Sequence, residues 1–106
     1  MPWVLLVFAG LLEVVWAYSM KQSNGFTRLA PTAVTVVTML ASFALLAISM
    51  RTLPLSTAYT IWTGIGAVGA FVVGVTVLGE EISIARVGAA TLIVAGLILM
   101  RLTEAN

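Results

Sequence analysis

The sequence predicts an all-α membrane protein with four transmembrane helices. Three observations carry that expectation. Four apolar stretches of about 18 to 24 residues follow one another along the chain, and ~20 helical residues are what the ~30 Å hydrocarbon core of a bilayer requires. Short connections containing Lys, Arg, Asn, Gly and Pro separate them. Hydrophobic residues make up 61% of the 106 and charged residues 8%, against about 45–50% and about 25% in an ordinary soluble domain. A water-soluble fold of this size cannot bury that much apolar surface, so the bilayer is the expected solvent and 1–106 is read as one four-helix transmembrane domain.

The first span covers about 3–20, with Trp3 and Tyr18 placed as interfacial anchors. It is longer than an ordinary signal-peptide core, lacks a basic leader and carries a charge at its centre, so a membrane span is expected. Lys21-Gln22-Ser23-Asn24-Gly25 and Arg28 form the next polar connection, with an Asn-Gly turn. Pro31 suits the first turn of a helix, which opens a second span over about 31–50. Arg51 and Pro54 mark the next boundary, and a third span runs over about 55–78 to Gly79, Glu80 and Glu81. Ser83 is placed to cap a fourth span over about 83–100, with Arg86 able to snorkel to the interface.

Composition also narrows the function. A net charge of +1 points to neither nucleic acid nor an acidic partner, and the absence of Cys and His excludes thiolate chemistry and a transition-metal cluster within one chain. No metal, no cofactor and no enzymatic chemistry are expected. What remains is Glu13, the one charged side chain in the middle of a span. An acidic residue at mid-membrane costs roughly 2.5 kcal/mol or more, which makes it a functional site by default. The competing reading is a neutral acid that hydrogen-bonds a neighbouring helix.

Helical spacing groups other residues with it. Leu6, Ala9, Gly10, Glu13, Trp16, Ala17 and Met20 share one face, so Gly10 leaves room beside the carboxylate and Trp16 lies one turn beyond it. Thr32, Thr35, Thr38, Ser42 and Ser49 form a hydroxyl stripe expected to face the bundle interior or a wet cavity. Ser56, Tyr59, Trp62, Thr63 and Gly66 form an aromatic and hydroxyl face on the third span. Gly64, Gly66 and Gly69 weaken that helix halfway along and suggest a hinge. Gly88 and Gly96 on the fourth span, with Ala85, Ala89, Leu92 and Ala95 nearby, suggest close helix packing.

Four such helices cannot enclose much of a cavity alone. The basic residues also divide almost evenly between the two sides: Arg51 and Arg101 fall on the side of the N-terminus, and Lys21, Arg28 and Arg86 on the other. Two against three is a weak positive-inside bias, so insertion in both orientations and an antiparallel, dual-topology dimer are expected. Such a dimer brings two copies of Glu13 into one cavity. A bound cation favours the ionised pair and protons displace it, and this competition produces proton-coupled antiport. Trp16, Tyr59 and Trp62 offer ring faces and N–H or O–H groups, Ser42 is placed to orient the carboxylates, and a small planar cation rich in N–H donors suits the site. Packing aromatics and helix-joining hydroxyls remain the alternative for each of these residues taken alone.

Several stretches also resemble a known family. Glu13-Val14-Val15-Trp16-Ala17, Lys21, Asn24-Gly25-Phe26-Thr27-Arg28-Leu29, Ser42-Phe43 and Thr57-Ala58-Tyr59-Thr60-Ile61-Trp62-Thr63-Gly64-Ile65-Gly66-Ala67 are similar to those of the small multidrug resistance transporters. Trp16, Ser42 and the Trp62-Thr63-Gly64 run resemble the guanidinium-exporter branch, whereas the polyaromatic-cation branch typically has Gly in place of Trp16. The resemblance implies a bacterial inner-membrane antiparallel homodimer that exports guanidinium ion against proton entry through the two Glu13 side chains. It further implies that Trp16 and Ser42 belong to the hydrogen-bond network of Glu13, Tyr59 and Trp62 to the cavity wall, and Gly88 to Gly96 to dimer packing.

Ser56 and Thr60 depart from the branch, which commonly has Gly and Ala there. Two added hydroxyls near Tyr59 suggest that substituted guanidines such as guanylurea are also carried. Other readings are a broader quaternary-ammonium exporter, one subunit of a heterodimer with a paralogous chain, a small dual-topology channel, and an assembly subunit in which Glu13 is structural.

Overall fold

A computed structural model describes residues 2–103. Its helices are α1 (Pro2–Gln22), α2 (Leu29–Ser49), α3 (Leu55–Thr76) and α4 (Ile84–Thr103). Each is long and apolar enough to cross a membrane, since 20 to 22 residues rise roughly 30 Å. The fold is an all-α membrane fold of four helices, and among the described residues there is no strand.

The connections are short and well specified. After α1, Asn24, Gly25 and Phe26 take φ of 50°, 72° and 67°, a run of left-handed residues that reverses the chain within one tight turn. Buried Ser23 holds the turn by donating to the Met20 carbonyl at 2.7 Å and accepting the Phe26 N–H at 3.0 Å. Helix α2 begins two residues before Pro31, which sits in its first turn where a missing N–H costs little. Pro54 caps α3 in an extended conformation. Past the end of α3, Gly79 takes φ +71°, and Ser83 accepts the Arg86 N–H at 3.1 Å to cap α4.

Packing is uneven. Helix α1 lies against α2 and α3, while the backbone of α4 comes close only to that of α3. The backbone measures 44 × 34 × 16 Å, about twice as wide as it is thick. The protomer is therefore a slab, not a closed bundle. Helix α4 has no buried residue at all. It is fastened at its C-terminal end, where Leu97 covers Gly64 and the Arg101 guanidinium lies over the Trp3 ring, 4.5 Å from its centre. Its Gly88 and Gly96 face open space within the protomer.

The hydroxyl stripe of α2 divides in two. Thr32, Thr35 and Thr38 donate to carbonyls of their own helix four residues back, at 2.6 to 2.8 Å. Ser42 reaches across to α1, donating to the Ala9 carbonyl at 2.7 Å, while the Ser49 hydroxyl is shared between the Leu45 carbonyl of its own helix at 3.0 Å and the Pro2 carbonyl of α1 at 3.2 Å. A threonine in a helix satisfies its hydroxyl locally whenever its χ1 brings Oγ1 back to the preceding turn, so most of the stripe carries no interhelical bond.

Candidate functional site

Helix α1 approaches α3 closely because the facing residues are small. Gly10 lies against Ile65, and Gly69 lies against Val14. Ala9 is fully buried. The third contact of this seam is between Gly66 and the Glu13 carboxyl group: a Cβ at Gly66 would overlap the carboxyl carbon and both oxygens. The missing side chain is what admits the carboxylate into the helix interface.

Helix α3 is continuous from Leu55 to Thr76, through Gly64, Gly66 and Gly69. In this conformation each of the three glycines receives a side chain: Leu97 at Gly64, Glu13 at Gly66 and Val14 at Gly69.

One turn before Glu13, the Ala9 carbonyl accepts the Glu13 backbone N–H as part of α1 and also the Ser42 hydroxyl at 2.7 Å. Ser42 in turn accepts the Trp62 indole N–H at 2.9 Å, and this bond is buried. A chain of two hydrogen bonds thus ties α3 to α2 and α2 to α1 at the backbone step that carries Glu13. This changes the sequence-based role of Ser42 and Trp62 within the protomer. A serine has one proton, and that of Ser42 goes to Ala9, while the one N–H of Trp62 goes to Ser42, so neither donates to the Glu13 carboxylate.

The aromatic residues form a continuous row beside this chain. Trp16 meets Phe43 edge-on, with centroids 6.4 Å apart and planes at 74°. Phe43 meets Trp62 at 5.8 Å and Trp62 meets Tyr59 at 5.5 Å. Trp62 is buried, while Phe43 and Tyr59 are exposed within the protomer. The row runs from the Glu13 level outward and ends at Tyr59.

Two polar atoms at the inner end lack partners. Among the described residues, Glu13 Oε1 and Trp16 Nε1 are buried and unpaired. They are an acceptor and a donor, and buried groups of this kind are ordinarily satisfied. The carboxylate oxygen can accept from a bound cation, while the indole N–H needs an acceptor, which a neighbouring chain can offer.

Of the residues singled out from the sequence, Glu13, Gly10, Trp16, Ser42, Trp62, Tyr59, Gly66 and Gly69 fall in or beside this assembly. Gly64 lies at the α3–α4 contact, and Gly88 and Gly96 lie on the free face of α4. Two participants, Phe43 and the Ala9 carbonyl, were not assigned a part by sequence, and the contact of Gly66 with the Glu13 carboxyl group was not foreseen. Phe43 links the two tryptophans, and its place directly after Ser42 was the available signal. Gly66 was read both as a hinge and as part of the Tyr59 and Trp62 face, and neither reading gives it the seat of the carboxyl group. The Ala9 carbonyl gives no signal in a side-chain pattern.

The chain matches known proteins along nearly its whole length. Residues 1–103 match the family model described as Small Multidrug Resistance protein. A guanidinium exporter of Citrobacter freundii is 53% identical over 103 residues, covering 97% of this chain and 98% of the relative. The guanidinium exporter of Yersinia pseudotuberculosis is 53% identical over 104 residues, covering 98% of this chain and 100% of the relative. With a match across nearly the whole chain and four membrane-spanning helices, the chain belongs to the small multidrug resistance family of multi-pass membrane proteins.

Proposed function

We propose that the protein exports guanidinium ion from the bacterial cytoplasm across the inner membrane, in exchange for protons, as an antiparallel homodimer of dual topology. The observation that carries this reading is the buried, unpaired Glu13 carboxylate oxygen, with a second unpaired group, the Trp16 indole N–H, about one turn along α1. The names of the 53% identical relatives support the choice of guanidinium.

The chemistry follows from the groups present. Guanidinium is planar and presents its N–H donors in a fork that matches a carboxylate, while aromatic faces attract its charge. Two Glu13 side chains, one from each copy, hold the cation when ionised and release it when protonated. The role of Ser42 and Trp62 is positional: by holding Ala9 they hold the helix step from which Glu13 projects. Trp16, Phe43, Trp62 and Tyr59 line the way out. Antiparallel symmetry makes the inward-facing and outward-facing states one structure with the copies exchanging roles. The slab shape of the protomer, with α4 bare of buried residues, supports pairing, and Gly88 and Gly96 offer the close-packing face.

Accumulation of guanidinium by proteoliposomes with an acidic interior tests the proposal. Uptake that follows the imposed proton gradient and exceeds uptake of a bulky quaternary ammonium supports it. Equal uptake with and without a gradient, or a preference for the quaternary ammonium, overturns it.

A further inference from the structure

A second recess lies away from the Glu13 carboxylate, between α1, α3 and the N-terminal half of α4. Helix α4 is held to the rest of the slab at Leu97 and Arg101, and toward Arg86 it leaves an open cavity of about 470 Å³. The floor includes Val14, Phe71 and Ile93, one from each of three helices, and the rim carries Lys21, Glu80 and Arg86. Lys21 is in the last turn of α1 and Arg86 in the first turn of α4. Alternating helix direction puts those two ends at the same membrane face.

The rim is arranged by the backbone. Gly79 turns the chain with φ +71°, and the Glu80 N–H then donates to the Gly74 carbonyl at 2.9 Å. This folds Glu80 back along α3, so that its Oε1 lies 2.5 Å from where a Cβ of Gly74 would stand. The side chains of Lys21 and Glu80 form no hydrogen bond or ion pair among the described residues. Arg86 gives one guanidinium N–H to the Glu81 carbonyl at 3.3 Å, which leaves four of its five donors. Two cations and a carboxylate thus stand over an apolar floor at headgroup depth.

We propose that this recess binds one phospholipid with a phosphoethanolamine headgroup. The phosphate lies between Lys21 and Arg86, the primary ammonium pairs with Glu80, and the start of an acyl chain covers Val14, Phe71 and Ile93. Charge complementarity selects this occupant. An anionic phosphatidylglycerol satisfies the two cations but leaves Glu80 beside a headgroup with no cation, and phosphatidylcholine presents an ammonium with no N–H to donate. By helical spacing the recess side of α4, with Arg86, Ala89 and Ile93, differs from the side carrying Gly88, Leu92 and Ala95. A second copy packed on the Gly88, Leu92 and Ala95 side leaves the recess free, whereas Gly96, seven residues from Ala89, lies on the recess side nearer the C-terminal end of α4.

Lipid titration of the detergent-solubilised protein followed by native mass spectrometry tests the proposal. The probes are phosphatidylethanolamine, phosphatidylglycerol and phosphatidylcholine with identical acyl chains. Each lost charge pairing is expected to weaken binding about fivefold. Wild type should prefer phosphatidylethanolamine by that factor, Glu80→Gln should abolish the preference over phosphatidylglycerol, and Lys21→Gln with Arg86→Gln should weaken all three lipids. Ala89→Trp fills the recess and keeps every charge, so it should also lose the lipid, and it carries the test if a charge variant does not fold. Phosphatidylethanolamine binding unchanged in all variants, or a wild-type preference for phosphatidylglycerol, overturns the proposal. Displacement of the lipid by excess guanidinium would put it in the Glu13 cavity and also overturn it. Guanidinium binding, measured separately on each variant, reports on the export reading independently of the lipid.

Discussion

Gly66 of α3 faces the Glu13 carboxyl group of α1 so closely that a single added methyl group would overlap it. The charged group of the membrane interior is thus seated by the absence of a side chain on the facing helix. Gly66→Ala is expected to push the carboxylate out of register and weaken guanidinium binding by about tenfold or more, with helix content retained. Isothermal titration with guanidinium, with circular dichroism as the control, reads both quantities. Gly88 faces open space in the protomer, and Gly88→Ala should leave the affinity near wild type.

Removing the Ser42 hydroxyl breaks two bonds. Ser42→Ala takes the donor from Ala9 and leaves the buried Trp62 indole N–H unpaired, whereas Trp62→Phe leaves the Ser42 to Ala9 bond in place. An unpaired buried donor costs about 1–3 kcal/mol. Ser42→Ala should accordingly lower the midpoint of thermal unfolding in detergent and reduce transport, since the helix step beneath Glu13 loosens.

Protons and guanidinium compete for the same carboxylates. The apparent affinity for guanidinium is therefore expected to fall as pH falls, by up to about tenfold per pH unit for each proton displaced. The slope of log affinity against pH gives the number of protons exchanged for one cation. In Glu13→Gln that slope should vanish.

Much of the fold is legible in the sequence because the bilayer imposes it. A segment that leaves its backbone unsatisfied cannot cross, so four apolar stretches separated by Lys21 to Arg28, Arg51 to Pro54 and Gly79 to Ser83 are expected to form the four helices that are found. Glu13 stood out for the same reason, as a charge where charge is costly. The bonding around it was not legible. Whether Ser42 points its proton at a carboxylate or at a carbonyl depends on how α2 crosses α1, and the spacing of hydroxyls along α2 contains no information about that crossing. The same limit applies to Thr35, fully buried yet bonded within its own helix. Gly66 and Phe43 act through contacts between helices, which periodicity along one helix does not report.

Ser56 and Thr60 lie on α3 on either side of Tyr59, and all three are exposed in the protomer. Their hydroxyls add donors and acceptors next to the outer end of the aromatic row. Ser56→Gly with Thr60→Ala should lower transport of guanylurea relative to guanidinium about threefold to tenfold, the effect of one or two hydrogen bonds. Competition between the two substrates in one vesicle preparation measures the ratio directly.

The free face of α4 gives the prediction for assembly. Gly88→Leu with Gly96→Leu should prevent close approach of a second copy. Cross-linking in native membranes is expected to show the dimer reduced at least about threefold, with α1 to α3 intact because neither glycine touches them. Transport should fall in parallel.

Proton movement on addition of guanidinium reads out coupling through Glu13. Proteoliposomes of the purified chain carry a pH-sensitive dye, and wild type is compared with Glu13→Gln. Guanidinium should drive proton exchange in the wild type, and the exchange should disappear in the variant, with the helical spectrum unchanged. Guanidinium-driven proton exchange that survives in Glu13→Gln would contradict it.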